Sequence, residues 1–142
     1  MLEFGEKLEG VKYRELTCAR LVIKNADGKF AFVEVGDQYF LIGGEIKKGE
    51  SENQALIREA QEEIGAEVMI GKRIEMAGDY LYARRIDEYI HKTNSFYEVQ
   101  IIGEPKNGIE PDHKLTWATI EEADQKIRQR SHFWALEQII TE

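Results

Sequence analysis

Gly44-Glu45-Ile46-Lys47-Lys48-Gly49-Glu50, followed further along by Arg58-Glu59-Ala60-Gln61-Glu62-Glu63-Ile64-Gly65, is the stretch whose reading decides this chain. Glu59, Glu62 and Glu63 stand at i, i+3 and i+4, and at about 100° per residue a helix gathers them on one face. Like charges at those spacings each cost a few tenths of a kcal/mol, so a helix shaped for stability alone would interleave lysines. No lysine stands between Glu50 and Glu67. The cluster therefore calls for a cation.

Working outward, Ser51 and Gln54 have the spacing of a capping box, and Gly65 suits the position just past a helix C-terminus. Between them Leu56, Ala60 and Ile64 form a narrow apolar stripe with Ile57 at its edge. Glu52, Glu59, Glu62 and Glu63 fill an adjoining arc of about 100°. Ala55 falls inside that arc and is small enough to leave it open. Two further helices are expected, one opening at Thr119 with a capping box to Glu122 and one starting near Ser131. Strand-like runs are 17–24, 30–35, 39–42, 66–70, 74–83, 89–103 and 115–118, with Asp27-Gly28 as a turn. Strands dominate the middle and helices are interspersed, so the expected class is α/β in the wider α+β sense, a mixed sheet covered by helices on both faces.

At 142 residues one domain over 1–142 is the simplest organisation, large enough to bury roughly 68–70% of the surface of its unfolded chain. The single cysteine, Cys18, lies in an apolar run and reads as core in a reducing compartment. The start, Met1-Leu2-Glu3-Phe4, lacks a basic and then apolar leader, and no apolar run has the length of a membrane span, so a cytoplasmic protein without a membrane partner is expected. A net charge of -8 argues against a nucleic acid polymer as partner. It also means that a polyanionic substrate needs divalent metal between itself and the carboxylates.

In order, Gly44, Glu50, Arg58, Glu59, Glu62, Glu63 and Gly65 match G-x5-E-x7-R-E-U-x-E-E-x-G-U at every charged and glycine position. The chain thereby resembles the Nudix hydrolases, the MutT-like enzymes that act on a nucleoside diphosphate linked to another moiety. Gly43 ahead of the motif, the Trp117-Ala118-Thr119 step into a helix and the chain length agree with that resemblance. Ile42 stands where many relatives have proline, and Ala60 and Ala66 where they have larger aliphatics.

The resemblance implies an α/β/α sandwich with a mixed central sheet and a loop–helix–loop at 43–66. It implies Mg2+ or Mn2+, two or more ions, held by Glu62, Glu63, Glu59 and the Gly43 carbonyl. Glu59 is either a ligand or the general base, and the sequence leaves both open. Arg58 faces away from the middle of the acidic arc and is expected to clamp Glu50, with Gly44 and Gly65 as structural positions of the motif. Glu110 and Asp112 are candidates for one further carboxylate at the metal site. His91, His113 and His132 lack metal-ligand spacing and read as surface or packing residues. Tyr80, Tyr82, Phe96, Tyr97 and Trp117 read as core rather than as base-stacking residues.

The activity implied is hydrolysis of a diphosphate bond in a nucleotide or related small molecule, nucleoside triphosphates and oxidised nucleotides included. Two alternatives share the architecture: a nucleotide-sensing module without turnover, which the intact acid set disfavours, and an isoprenoid diphosphate isomerase, for which Cys18 is a poor candidate. The motif grips what all such substrates share, so it does not name one. Nor does it set the oligomeric state, for which a homodimer is the prior.

Overall fold

The computed structural model describes residues 1–109 and 112–140. In chain order the elements are β1 (Leu2–Phe4), β2 (Arg14–Val22), β3 (Phe30–Val35), β4 (Gln38–Glu45), α1 (Glu52–Ile64), β5 (Glu67–Ala83), β6 (Glu88–Ile102), β7 (Lys114–Ala118), α2 (Ile120–Ala123) and α3 (Arg130–Ile140). The strands form one mixed sheet in the order β1-β5-β6-β2-β4-β3-β7. β1 runs parallel to β5 and β2 parallel to β6, and the other neighbours are antiparallel.

Alternation along the strands sends side chains to two cores. Ala19, Leu21, Ala31, Val33 and Ile42 pack with Leu56, Ala60 and Ile64 of α1. Val22, Phe30, Phe32, Leu41 and Phe96 pack with Ala123, Ile127, Ala135 and Leu136 of the α2–α3 region. The result is the three-layer mixed sandwich expected from the pattern. Full burial of Leu56 and Ile64, at about 1.5–3 kcal/mol each, anchors α1 to the sheet. Ala55 lies in the same core, fully buried, and not in an open acidic groove. Among the described residues no helix is long and apolar enough to cross a membrane.

Several strand bounds differ from the sequence reading: β2 is Arg14–Val22 rather than 17–24, and β4 continues past 42 through Gly43-Gly44 to Glu45, so the first residues of the expected loop at 43–66 are strand. The runs 66–70 and 74–83 are a single strand, β5, whose register against β6 shifts between Ile70 and Glu75. The irregularity falls at Gly71-Lys72-Arg73, which reads in sequence as a break. β1 went unread because three residues carry too little period, and its order comes from pairing with β5, as in Leu2 against Ala77.

β4 changes neighbour midway. Through Leu41 it pairs with β3, and from Ile42 onward with β2. The backbone groups of Leu41 are met by side chains: its N–H donates to His132 Nδ1 at 3.1 Å, and its carbonyl accepts from Arg20 Nη1 at 3.2 Å. Arg20 Nε also donates to Asn94 Oδ1 at 3.0 Å, and Asn94 continues to Ser131 Oγ. The Ser131 backbone and hydroxyl both donate to Asp79, which ties α3 to the sheet. His132, fully buried, is thus a packing residue, held neutral because burial pushes its pKa well down. His91 bridges Glu3 and Glu15 at 2.6 and 2.7 Å, joining β1, β6 and β2, and Cys18 is buried.

Candidate active site at the α1 carboxylates

The second half of β4 ends on Gly43-Gly44-Glu45 and hands the chain through a short loop to α1. Ser51 Oγ accepts from the Gln54 N–H at 3.1 Å while Gln54 Oε1 accepts from the Ser51 N–H at 2.8 Å, a complete capping box. At the other end Gly65 sits at φ 58°, the left-handed conformation that closes the helix. Both ends are set by residues of the motif or its flanks, so the carboxylates between them have fixed positions.

Arg58 locks the loop to the helix. Its Nε and Nη2 grip Glu50 at 2.7 and 2.9 Å, and Nη2 also donates to the Glu45 carbonyl at 3.0 Å. Glu50 Oε1 accepts in addition from the Lys47 N–H at 2.9 Å, folding the loop back on itself. The Arg58 hydrogen bonds, then the Lys47 N–H, hold the Glu50 carboxyl down at about 2. Arg58 does not face away from the acidic arc. Its Nη1 reaches Glu59 Oε1 at 2.9 Å and Glu62 Oε2 at 3.1 Å. A flexible side chain overrides the direction of its Cα–Cβ bond when two carboxylates flank it.

Glu63 is the buried member, with 5% of its side chain exposed. The Gly43 N–H donates to its Oε1 at 2.8 Å, so the carboxylate satisfies a strand-edge group. Its Oε2 lies 3.1 Å from His113 Nδ1. Burial pushes the Glu63 carboxyl up to about 8, and the hydrogen bond and charge of Glu59 push the same way against the Gly43 N–H and Arg20. Two glycines permit this closeness. Gly43 has φ +142°, and a Cβ there would lie 2.1 Å from the Ala19 carbonyl oxygen; a Cβ on Gly44 would lie 2.6 Å from Glu59 Oε1.

α1 brings Glu59, Glu62 and Glu63 to the edge of β4, whereas Glu52 belongs elsewhere. It accepts from Ser95 Oγ at 2.7 Å and Tyr97 OH at 2.6 Å and pairs with Arg73. Tyr97 thereby helps fix the start of α1. Glu110 lies outside the described residues, and Asp112 is exposed. His113 contacts Glu63 although its sequence position gave no signal: the pairing spans fifty residues and depends on the segment before β7 folding onto α1. That segment is fastened by the Lys106 N–H to the Gly65 carbonyl at 3.2 Å and the Ile109 N–H to the Glu62 carbonyl at 2.6 Å. A cleft of about 730 Å³ opens there, lined by Glu63, Lys106, Asn107, His113 and Leu115.

Chemically, the site offers hard oxygen donors of the type that divalent Mg2+ or Mn2+ takes. Among the described residues no group of three or more His, Cys, Asp and Glu side chains is gathered as a metal cluster. Arg58 occupies Glu59 and Glu62 instead, as the cation between them. The donor chemistry and the glycine-lined approach fit a divalent ion once Nη1 yields those two oxygens; the grip on Glu50 uses the other two nitrogens of the guanidinium and need not change.

The profile of the NUDIX domain matches residues 16–136 of the chain. No curated protein sequence matches it. Among solved structures the chain is similar to a NUDIX hydrolase from Nitrosomonas europaea, at 18% identity and a TM-score of 0.74, with 90% of each chain covered. It is similar also to the MutT protein from Methanosarcina mazei Go1, at 16% identity and a TM-score of 0.72, over 94% of this chain and 100% of that one. A third is the E. coli dihydroneopterin triphosphate pyrophosphohydrolase, at 17% identity and a TM-score of 0.70, over 91% and 97%. At these identities the likeness is one of fold.

Proposed function

The chain belongs to the Nudix family, and from that premise we propose that it is a Mg2+- or Mn2+-dependent pyrophosphohydrolase. Its substrate is a nucleoside diphosphate linked to another moiety, and its reaction is attack of water on phosphorus. The observation that carries the reading is the placement of Glu59, Glu62 and Glu63 beside Gly43-Gly44 with too little positive charge for all three. Burial, reinforced by the neighbouring Glu59, pushes the Glu63 carboxyl up to about 8, and Arg58 is shared among Glu50, Glu59 and Glu62.

On this reading Glu62 and Glu63, with the Gly43 carbonyl, hold the ions, and Glu59 is a further ligand or takes the proton of the attacking water. Bound divalent ions supply charge neutralisation at the phosphates and a water of lowered pKa. Arg58 keeps the loop on α1 through Glu50. His113 fixes the Oε2 side of Glu63 while the Gly43 N–H fixes Oε1. The supporting experiment is phosphate or nucleotide release from nucleoside triphosphates, oxidised nucleotides, ADP-ribose and dinucleoside polyphosphates, with Mg2+, Mn2+ or chelator. Release that needs metal is expected for at least one class. No release from any of them at high enzyme concentration would refute the proposal and leave a nucleotide-sensing module.

A further inference from the structure

We propose that the cleft enclosed by the β5–β6 turn, the β3–β4 turn and the segment ahead of α3 is the subsite for the distal moiety of the substrate, and that it selects a moiety bearing its own phosphate or carboxylate. This rests on the diphosphate-hydrolase reading and adds to it which substrates are favoured. The cleft has a volume of about 640 Å³, within the usual range of small-molecule sites of about 300–1,000 Å³. Phe40 and Leu81 give it apolar wall, and Arg84, Arg85 and Arg128 line it. In a chain of net charge -8 three arginines against one aspartate, Asp37, around one cleft are a local reversal of sign.

Their partners differ. Arg128 is engaged with Asp37 at 3.2 and 3.3 Å in a largely exposed pair. Asp87, the nearby acid of the turn, takes the Tyr82 hydroxyl. Arg84 and Arg85 make no ion pair among the described residues, so their forked donors are free for a phosphate or carboxylate. Gln129 also lines the cleft. A sugar ring with an anionic substituent supplies the charge and an apolar face together. The cleft is also in reach of the α1 site: Phe40 lies three residues before Gly43 on β4, about 10 Å along the strand.

The test compares substrates that differ only in the distal charge: UDP-glucose with UDP-glucuronate, and ADP-ribose with ADP-ribose 1″-phosphate. The anionic member of each pair should have a kcat/KM at least about tenfold higher. Arg84→Gln combined with Arg85→Gln should remove that preference by raising KM for the anionic substrate, with its kcat and the neutral substrate's constants unchanged. Equal constants for the two members in the parent, or a preference that survives the double substitution, would overturn the proposal. Should no diphosphate be hydrolysed, calorimetric binding of ribose 5-phosphate against ribose to the metal-free protein decides separately. Binding of the phosphate alone, lost in the double variant, supports the subsite, and absence of binding to the parent overturns it.

Discussion

Replacing Glu63 with glutamine in the metal-free protein should change how stability responds to pH. Glu63 is buried against Gly43 and His113, and its carboxyl stands at about 8 against an ordinary 4.5. Between those values the unfolded chain has lost the proton that the native protein keeps. The native state therefore gives up about 1.4 kcal/mol for each pH unit of rise. The contribution is complete below about pH 4.5 and is lost as pH climbs toward 8. Over two units, from pH 5 to 7, the parent should lose roughly 3 kcal/mol relative to Glu63→Gln. Urea unfolding with chelator present, at pH 5, 6 and 7, measures the difference between the two proteins directly. Parallel stability curves would refute the argument, because they would mean that Glu63 ionises in the native state as it does in the unfolded chain.

Other expectations follow from the same geometry. Arg58→Ala should lower both turnover and melting temperature, and Glu50→Ala added to it should change little more, since the two act as one clamp; additive effects in kinetics and thermal melting would contradict this. Gly44→Ala places a Cβ 2.6 Å from Glu59 Oε1 and should reduce turnover with Mg2+; equal kinetic constants for parent and Gly44→Ala would show that Glu59 need not lie where it does. Mg2+ at 100 times its Kd should stabilise the native protein by about 2.7 kcal/mol, and a melting curve indifferent to millimolar Mg2+ and Mn2+ would count against a preformed site.

What the sequence made legible was what is local. The capping box at Ser51 and the stop at Gly65 depend on spacings within one helix, and the structure has both; of the three carboxylates, Glu59 and Glu62 meet through Arg58 while Glu63 turns to Gly43 and His113. The layer arrangement was readable for a similar reason, because period two along β2, β3 and β4 divides their side chains between two cores. Long-range partners were not readable. A helical wheel assigns Glu52 and Ala55 to the acidic arc, but whether a position on the arc meets solvent, sheet or site depends on what packs there. Glu52 found Ser95, Tyr97 and Arg73, and Ala55 found the core. The contact between His113 and Glu63, and the side chains that replace a strand partner at Leu41, likewise exist only because the fold brings distant segments together.

The most direct test of the metal-site reading sets two similar glutamates against each other. Glu62→Gln keeps size and helix propensity while removing the charge a hard cation needs. Glu121 stands in the first turn of α2, where Thr119 and Glu122 already complete the cap, and its carboxylate serves the helix dipole at roughly 0.3–1 kcal/mol of stability. In Mg2+-supported hydrolysis of whichever diphosphate the parent accepts, Glu62→Gln should lose at least about a hundredfold in turnover, roughly 2.7 kcal/mol of transition-state stabilisation, and Glu121→Gln should keep nearly all of it. Parental turnover in purified Glu62→Gln would contradict the assignment and return the acidic face of α1 to a solvated surface.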